Sequence, residues 1–139
     1  MGIISDRYRG YINYNHADDS MTFGTAGGAA TVSISSTGTV NAANFNTTSD
    51  ATLKTNVETL TGSLDKVKAL RGVSYDWIES GGSEIGVIAQ EVEAVIPDLV
   101  GTNGEGIKSV KYGNMVAVLI EAIKEQQAQI DELKSQINS

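Results

Sequence analysis

Ser49 and Lys54 are the pair in this 139-residue chain whose types and spacing suggest covalent chemistry. A serine hydroxyl becomes a nucleophile when a nearby base takes its proton, and a neutral lysine amine can be that base. An exposed lysine, with a pKa of about 10.4, is almost wholly protonated at neutral pH, so it needs burial to act this way. The same residues also read as plain structure. Ser49 or Asp50 suits a helix N-cap, and Asp50 with Lys54 has the spacing of a favourably oriented i,i+4 ion pair. Spacing sharpens the choice, because residues five apart stand about 140° from each other on an ideal helix. A dyad therefore requires Ser49 to lie just outside the helix that carries Lys54, or to meet a lysine from a neighbouring subunit.

Composition removes most other chemistries. The chain has no cysteine, which excludes disulfides, thiolate zinc sites and cysteine nucleophiles. His16 is the single histidine, so Ser-His-Asp triads and His-cluster metal sites are excluded and no cofactor or metal is expected. The net charge is −7 and unevenly spread: residues 1–48 hold two arginines against three aspartates, and the remaining −6 falls in 49–139. Without a basic patch, nucleic acid is not an expected partner. No apolar run approaches the roughly 20 residues of a membrane span. Met1-Gly2 running straight into a strand-like pattern suggests a piece of a longer protein.

The elements that must position the pair differ on its two sides. Residues 7–15 alternate and are rich in tyrosine, which predicts a strand. His16 to Ser20 reads as a turn, Met21-Thr22-Phe23 as a second strand, and Gly27-Gly28 as a break. Ala30 to Ser35 gives a third strand, Ser36-Thr37-Gly38 a turn, and Thr39 to Phe45 a last extended piece. Large apolar residues are too few here for a closed core, so 1–48 reads as part of a multi-chain β structure.

Beyond the pair, Leu53, Val57 and Leu60 recur at spacings of four and three, which predicts a helix over 50–61. Gly62 interrupts it, and Ser63 can cap a second helix carrying Leu64, Val67, Lys68 and Leu70 before Arg71-Gly72. Val73 to Ile78 and Glu84 to Ala89 read as a hairpin around Gly81-Gly82. Gln90 to Val95 is a short helix stopped by Pro97. Leu99-Val100 and Ile107 to Tyr112 flank the loop Gly101 to Gly106 as another hairpin; that loop lacks the following Lys-Ser/Thr of a phosphate cradle. Tyr75 and Trp77 are expected in the core. Gln90, Glu91 and Glu93 are expected to be structural or solvated, and His16 solvated.

The tail from Gly113 has the clearest periodicity. Val116, Leu119, Ile123, Gln126, Ile130, Leu133 and Ile137 fall at unbroken spacings of three and four, an a/d seam with one polar layer. A single amphipathic helix packed on its own domain would also fit. The last two heptads, however, are Gln-, Glu- and Lys-rich outside the seam, and such a helix has little reason to order unless it pairs with copies of itself. Ile at a with Leu at d leans toward dimers.

Several stretches together resemble the C-terminal intramolecular chaperone domain of phage tailspikes and tail fibres (endosialidase type). They are Ser49-Asp50 with Leu53-Lys54, Leu64-Asp65-Lys66-Val67 with Leu70, and Gly72 to Trp77. Gly86 to Glu93 with Pro97, Ser109-Val110-Lys111-Tyr112 and Leu119 to Gln126 complete the set. The match spans 49–139 in order, and 10–48 is similar to the fibre segment that precedes such a domain. The resemblance implies an α+β homotrimer: short fibre strands over 1–48, then a small mixed domain over 49–139 with β-hairpins and a long coiled-coil helix at 113–138. It replaces the dimer leaning with a trimer. It also implies that the domain brings three β-rich chains into register with the upstream fibre, and is then released in the host cytoplasm by self-cleavage of the Thr48–Ser49 bond. Ser49 would be the nucleophile and Lys54 the base, leaving the fibre or tailspike in the virion. Two rivals stand beside this reading. One is an uncut trimerisation cap that stays on the fibre. The other is a terminal receptor- or glycan-binding domain, against which the low aromatic content counts.

Overall fold

The computed structural model describes residues 10–25, 30–79 and 81–138. They fall into two compact units that divide between Thr55 and Asn56. The architecture is mixed α+β, with small antiparallel sheets and one long helix.

The first unit is a four-stranded meander of β1 (Gly10–Asn15), β2 (Ser20–Thr25), β3 (Ala30–Ile34) and β4 (Val40–Ala42), paired in that order. The alternating stretches thus form strands where the sequence predicts them; residues 7–9 and the Gly27-Gly28 break lie outside the described residues. The β1–β2 turn has local causes. Asp18 accepts the Ser20 N–H at 3.2 Å, Asp19 takes a left-handed φ of 52°, and Tyr14 donates its hydroxyl to Asp19 at 2.6 Å. The Tyr11 ring lies over its cross-strand partner Gly24, where any Cβ would stand 2.1 Å from a ring carbon, and the β2–β3 pairing has a bulge at Phe23/Gly24. Tyr11, Ile12, Tyr14, Met21, Val40 and Phe45 are exposed, and no side chain described in this unit is buried. Hydrogen-bonded ladders and local turn contacts shape it rather than a core, as expected for strands too poor in apolar residues to enclose one.

The second unit has a core. It holds helices α1 (Ser63–Ala69), α2 (Ala89–Val95) and α3 (Tyr112–Ile137) and two hairpins, β5 (Val73–Asp76) with β6 (Ser83–Gly86), and β7 (Val100–Thr102) with β8 (Lys108–Val110). Val92, Leu99 and Val118 form its centre, and Val67, Leu70, Val87, Ile96, Val100, Val110 and Met115 pack around them. Pro97 opens a 3-10 turn over Pro97–Leu99 that drops Leu99 into this core. Long-range polar contacts tie the layers. Arg71 donates to both oxygens of Glu91 at 2.9 and 2.6 Å, Lys108 pairs with Glu93 at 2.8 Å, and Val87 N–H donates to the Tyr112 hydroxyl at 3.2 Å. The last contact needs Gly86, since a Cβ there would meet that hydroxyl at 2.6 Å.

Four expectations are corrected. Ser63 does not cap α1: Gly62 stands at the N-cap in a left-handed conformation, and Ser63 is the first helical residue. Residues 50–61 do not form a helix: only a 3-10 turn over Ala51–Leu53 forms, and Asn56 takes a left-handed φ of 52°. The apolar stripe that predicted the helix has nothing to cover it, with Leu53 74% and Val57 78% exposed, and Thr, Asn and Val are weak helix formers. Trp77 is not a core residue; it lies 52% exposed beyond the end of β5, its ring edge-on to Tyr75 at 5.4 Å. Tyr112 opens α3 rather than ending a strand.

Candidate functional site

The site at 48–54 is built by a reversal of the chain. Thr48 and Ser49 are exposed and irregular. Asp50 is extended (φ −66°, ψ 135°), and its Oδ1 accepts both the Thr52 N–H at 2.8 Å and the Thr52 hydroxyl at 2.6 Å. Those two bonds, the hydroxyl's first, hold the Asp50 carboxyl below the usual carboxylate range. Leu53 N–H donates to Asp50 O at 3.2 Å and Lys54 N–H to Ala51 O at 3.1 Å, closing the 3-10 turn. Lys54 then leaves it extended (φ −125°, ψ 149°). Its side chain folds back, and the ammonium donates to Ser49 Oγ at 2.6 Å and to Ser49 O at 3.2 Å.

Ser49 and Lys54 are therefore in direct contact within one chain, and Ser49 stands outside the turn that ends at Lys54. The i,i+4 geometry for an Asp50–Lys54 pair does not exist, because the segment is not an α-helix. The Asp50 carboxylate goes to Thr52 and the Lys54 ammonium to Ser49. The N-cap reading survives in reduced form: Asp50 caps a single turn. Both members of the pair are exposed, as is every residue from 51 to 60.

The seven seam residues lie along the outer side of α3. Val116, Leu119, Ile123, Gln126, Ile130, Leu133 and Ile137 are all exposed, the six apolar ones from 38% at Ile130 to 82% at Ile137. The inner side is a second stripe, Met115, Val118, Ala122 and Glu125, turned toward the unit's own core and α1. The helix is thus amphipathic on its own domain over its first half and carries a further apolar row besides.

Glu125 is a structural residue that sequence reasoning missed. Its two carboxylate oxygens accept the N–H groups of Ser63 at 3.0 Å and Leu64 at 2.8 Å, capping α1 from α3. These bonds, Leu64's first, hold the Glu125 carboxyl below its ordinary range. Ser63 itself is fully buried, and its hydroxyl meets no hydrogen-bond partner among the described residues. Glu91 and Glu93 are engaged with Arg71 and Lys108, in keeping with a structural role. Among the described residues no cluster of His, Asp or Glu could hold a metal ion, and no helix is long and apolar enough to cross a membrane.

Residues 49–101 match the family described as the chaperone of endosialidase, so the chain carries a chaperone domain of that family. The resemblance read from the sequence holds. Its relatives are phage fibres. The chain is 36% identical over 107 residues to the long tail fiber protein Gp37 of Enterobacteria phage K3, an alignment covering 70% of this chain and 9% of the relative. It matches Gp37 of Enterobacteria phage T2 equally well, covering 8% of that protein. With Gp37 of Salmonella phage S16 it shares 33% identity over 112 residues, 72% of this chain and 15% of the relative. The chain thus spans a small fraction of the length of the curated relatives it matches, and the family match together with these fibre relatives supports a fibre-associated chaperone role.

Proposed function

We propose that residues 49–139 act as an intramolecular chaperone that trimerises and folds a phage fibre ending at 1–48, and that Ser49 then severs the Thr48–Ser49 bond with Lys54 as its base. The observation that carries this reading is the 2.6 Å contact between Lys54 Nζ and Ser49 Oγ, made where the chain has left helical geometry. A family match whose first residue is Ser49 supports it.

The reaction is an N-to-O acyl shift followed by hydrolysis. The neutral Lys54 amine takes the Ser49 hydroxyl proton as Oγ attacks the Thr48 carbonyl carbon. The C–N bond breaks, and the lysine returns its proton to the departing Ser49 nitrogen. Water then adds to the Thr48–Oγ ester, giving the Thr48 carboxylate and regenerating the Ser49 hydroxyl. A lysine acts as a base in its neutral form, and desolvation favours that form. Copies assembling around the exposed stretch 49–60 provide the desolvation, which ties cutting to correct assembly.

Assembly rests on the outer row of α3, where three copies bury Val116, Leu119, Ile123, Gln126, Ile130, Leu133 and Ile137 in a coiled coil. The need for such a clamp follows from the first unit. Its strands expose Tyr11, Ile12 and Tyr14, and bringing three such chains into register is an intermolecular β assembly, which is slow and prone to aggregation. Removing the clamp in the host cytoplasm makes assembly hard to reverse and leaves a kinetically stable fibre in the virion.

The exposure of both Ser49 and Lys54 favours a second reading, a trimerisation cap that stays uncut. Denaturing electrophoresis of the assembled chain and of Lys54→Ala separates the two. Fragments 1–48 and 49–139 from the wild type, with an intact Lys54→Ala chain, are expected. An intact, assembled wild type would leave the uncut cap.

A further inference from the structure

The segment between Ser49 and Lys54 is held in shape without burial. No residue of the 3-10 turn Ala51–Leu53 is buried, so no packing fixes its course. Backbone bonds close the turn, and the side-chain bonds within it both end on one atom, Asp50 Oδ1, which accepts the Thr52 N–H and the Thr52 hydroxyl. That turn sets whether a lysine five residues on can reach back to the serine, since a continuous helix would put the two about 140° apart.

We infer that Asp50 is a positioning residue for the Thr48–Ser49 cleavage: clasped by Thr52, it fixes the 3-10 turn that returns the Lys54 amine to Ser49 Oγ. This rests on the cleavage reading above. The clasp does two things. It gives the turn an N-cap, so that Asp50 is extended and Lys54 leaves in the extended conformation at the other end. It also occupies the carboxylate with Thr52, four residues from Lys54, where an ion pair would otherwise draw the ammonium away from Ser49. The low ionisation range of Asp50 fits a carboxylate already committed to two donors.

The test compares cleavage rates in the full chain for Asp50→Ala, Asp50→Asn, Thr52→Val and Lys54→Ala, with the oligomeric state followed by size exclusion and light scattering. Asp50→Ala should slow cleavage roughly five- to tenfold, the factor that corresponds to losing an N-cap side chain, while assembly is unchanged. Asp50→Asn keeps a capping acceptor and should restore most of the rate, with the wild-type shape of the pH–rate profile. Thr52→Val should slow cleavage by a smaller factor. Wild-type cutting by Asp50→Ala, with Lys54→Ala uncut, overturns this inference and leaves the dyad standing. A slow Asp50→Asn with a shifted pH profile also overturns it, because charge rather than position would then matter. Normal cutting by Lys54→Ala removes the parent reading and this one together.

Discussion

Two neighbouring stretches carry nearly the same helical lettering and fold differently. Over 50–61, Leu53, Val57 and Leu60 recur at spacings of four and three; over 63–70, Leu64, Val67 and Leu70 recur every three. The second becomes α1, packed on α3 and capped by Glu125. The first stays a single 3-10 turn followed by irregular chain, its apolar residues in solvent. Short helices are marginal in water, so the pattern is realised only where another element covers its apolar face. The uncovered stretch is also where chemistry is proposed. A helix through 50–61 would have separated Ser49 from Lys54, and its absence is what lets the lysine fold back.

Removing the lysine is the harshest way to break this contrast. Lys54→Ala is expected to lower the cleavage rate by about 10²–10⁴-fold, the usual contribution of a general base, as read by electrophoresis over time. A wild-type rate would make the irregular course of 50–61 functionally empty.

The cover over α1 is tested next. Val118→Ala should destabilise the second unit by about 2 kcal/mol in urea unfolding, because it opens a cavity in a core of few residues. Ile123→Asp, on the outer side of the same helix, should leave the isolated unit's stability nearly unchanged and abolish self-association in sedimentation. Equal effects from both would erase the distinction between the two sides of α3.

A milder perturbation supplies the helix that the first stretch lacks. Thr55→Ala with Asn56→Ala raises helix propensity and removes the residue at φ 52°. Far-UV circular dichroism should gain helix, and cleavage should slow by roughly fivefold. More helix at an unchanged rate would show that the backbone course after Lys54 does not matter.

The smallest effect concerns the cap on α1. Because the folded-state Glu125 carboxyl titrates below its unfolded value, its contribution is fully present above the unfolded pKa of about 4.3 and is lost as the pH falls through the lower folded value. Thermal unfolding of the wild type should therefore weaken on acidification below about pH 5. Glu125→Gln should start lower, by on the order of 5 °C, with a shallower acid slope. An identical slope in both would mean that the cap contributes nothing to the contrast between the two stretches.

What the sequence made legible was local. Alternation and turn residues between 7 and 45 pointed to the strands, the glycine-rich loop Gly101 to Gly106 to the β7–β8 hairpin, and heptad spacing to α3 nearly to its ends. The five-residue gap excluded a dyad along one continuous helix; the helix expected to carry Lys54 does not form, and the two residues meet across a 3-10 turn instead. What escaped depended on distant neighbours. Glu125 caps α1 across 62 residues, a contact no spacing rule can reveal. The helix expected over 50–61 failed for want of cover, and Trp77 lies outside the core because β5 ends at Asp76. The Asp50–Thr52 clasp did have a local signal, an Asp two residues before a Thr, but helical spacing masked it as an ion pair with Lys54.

The central claim is that this chain cuts itself at one bond once assembled. Its most direct test is the intact mass of the assembled wild-type chain after denaturation. The account predicts two species, 1–48 ending at Thr48 and 49–139 beginning at Ser49, whose masses together exceed that of the whole chain by one water. A single full-length mass from chains shown to be assembled, or a cut at any other bond, would contradict it.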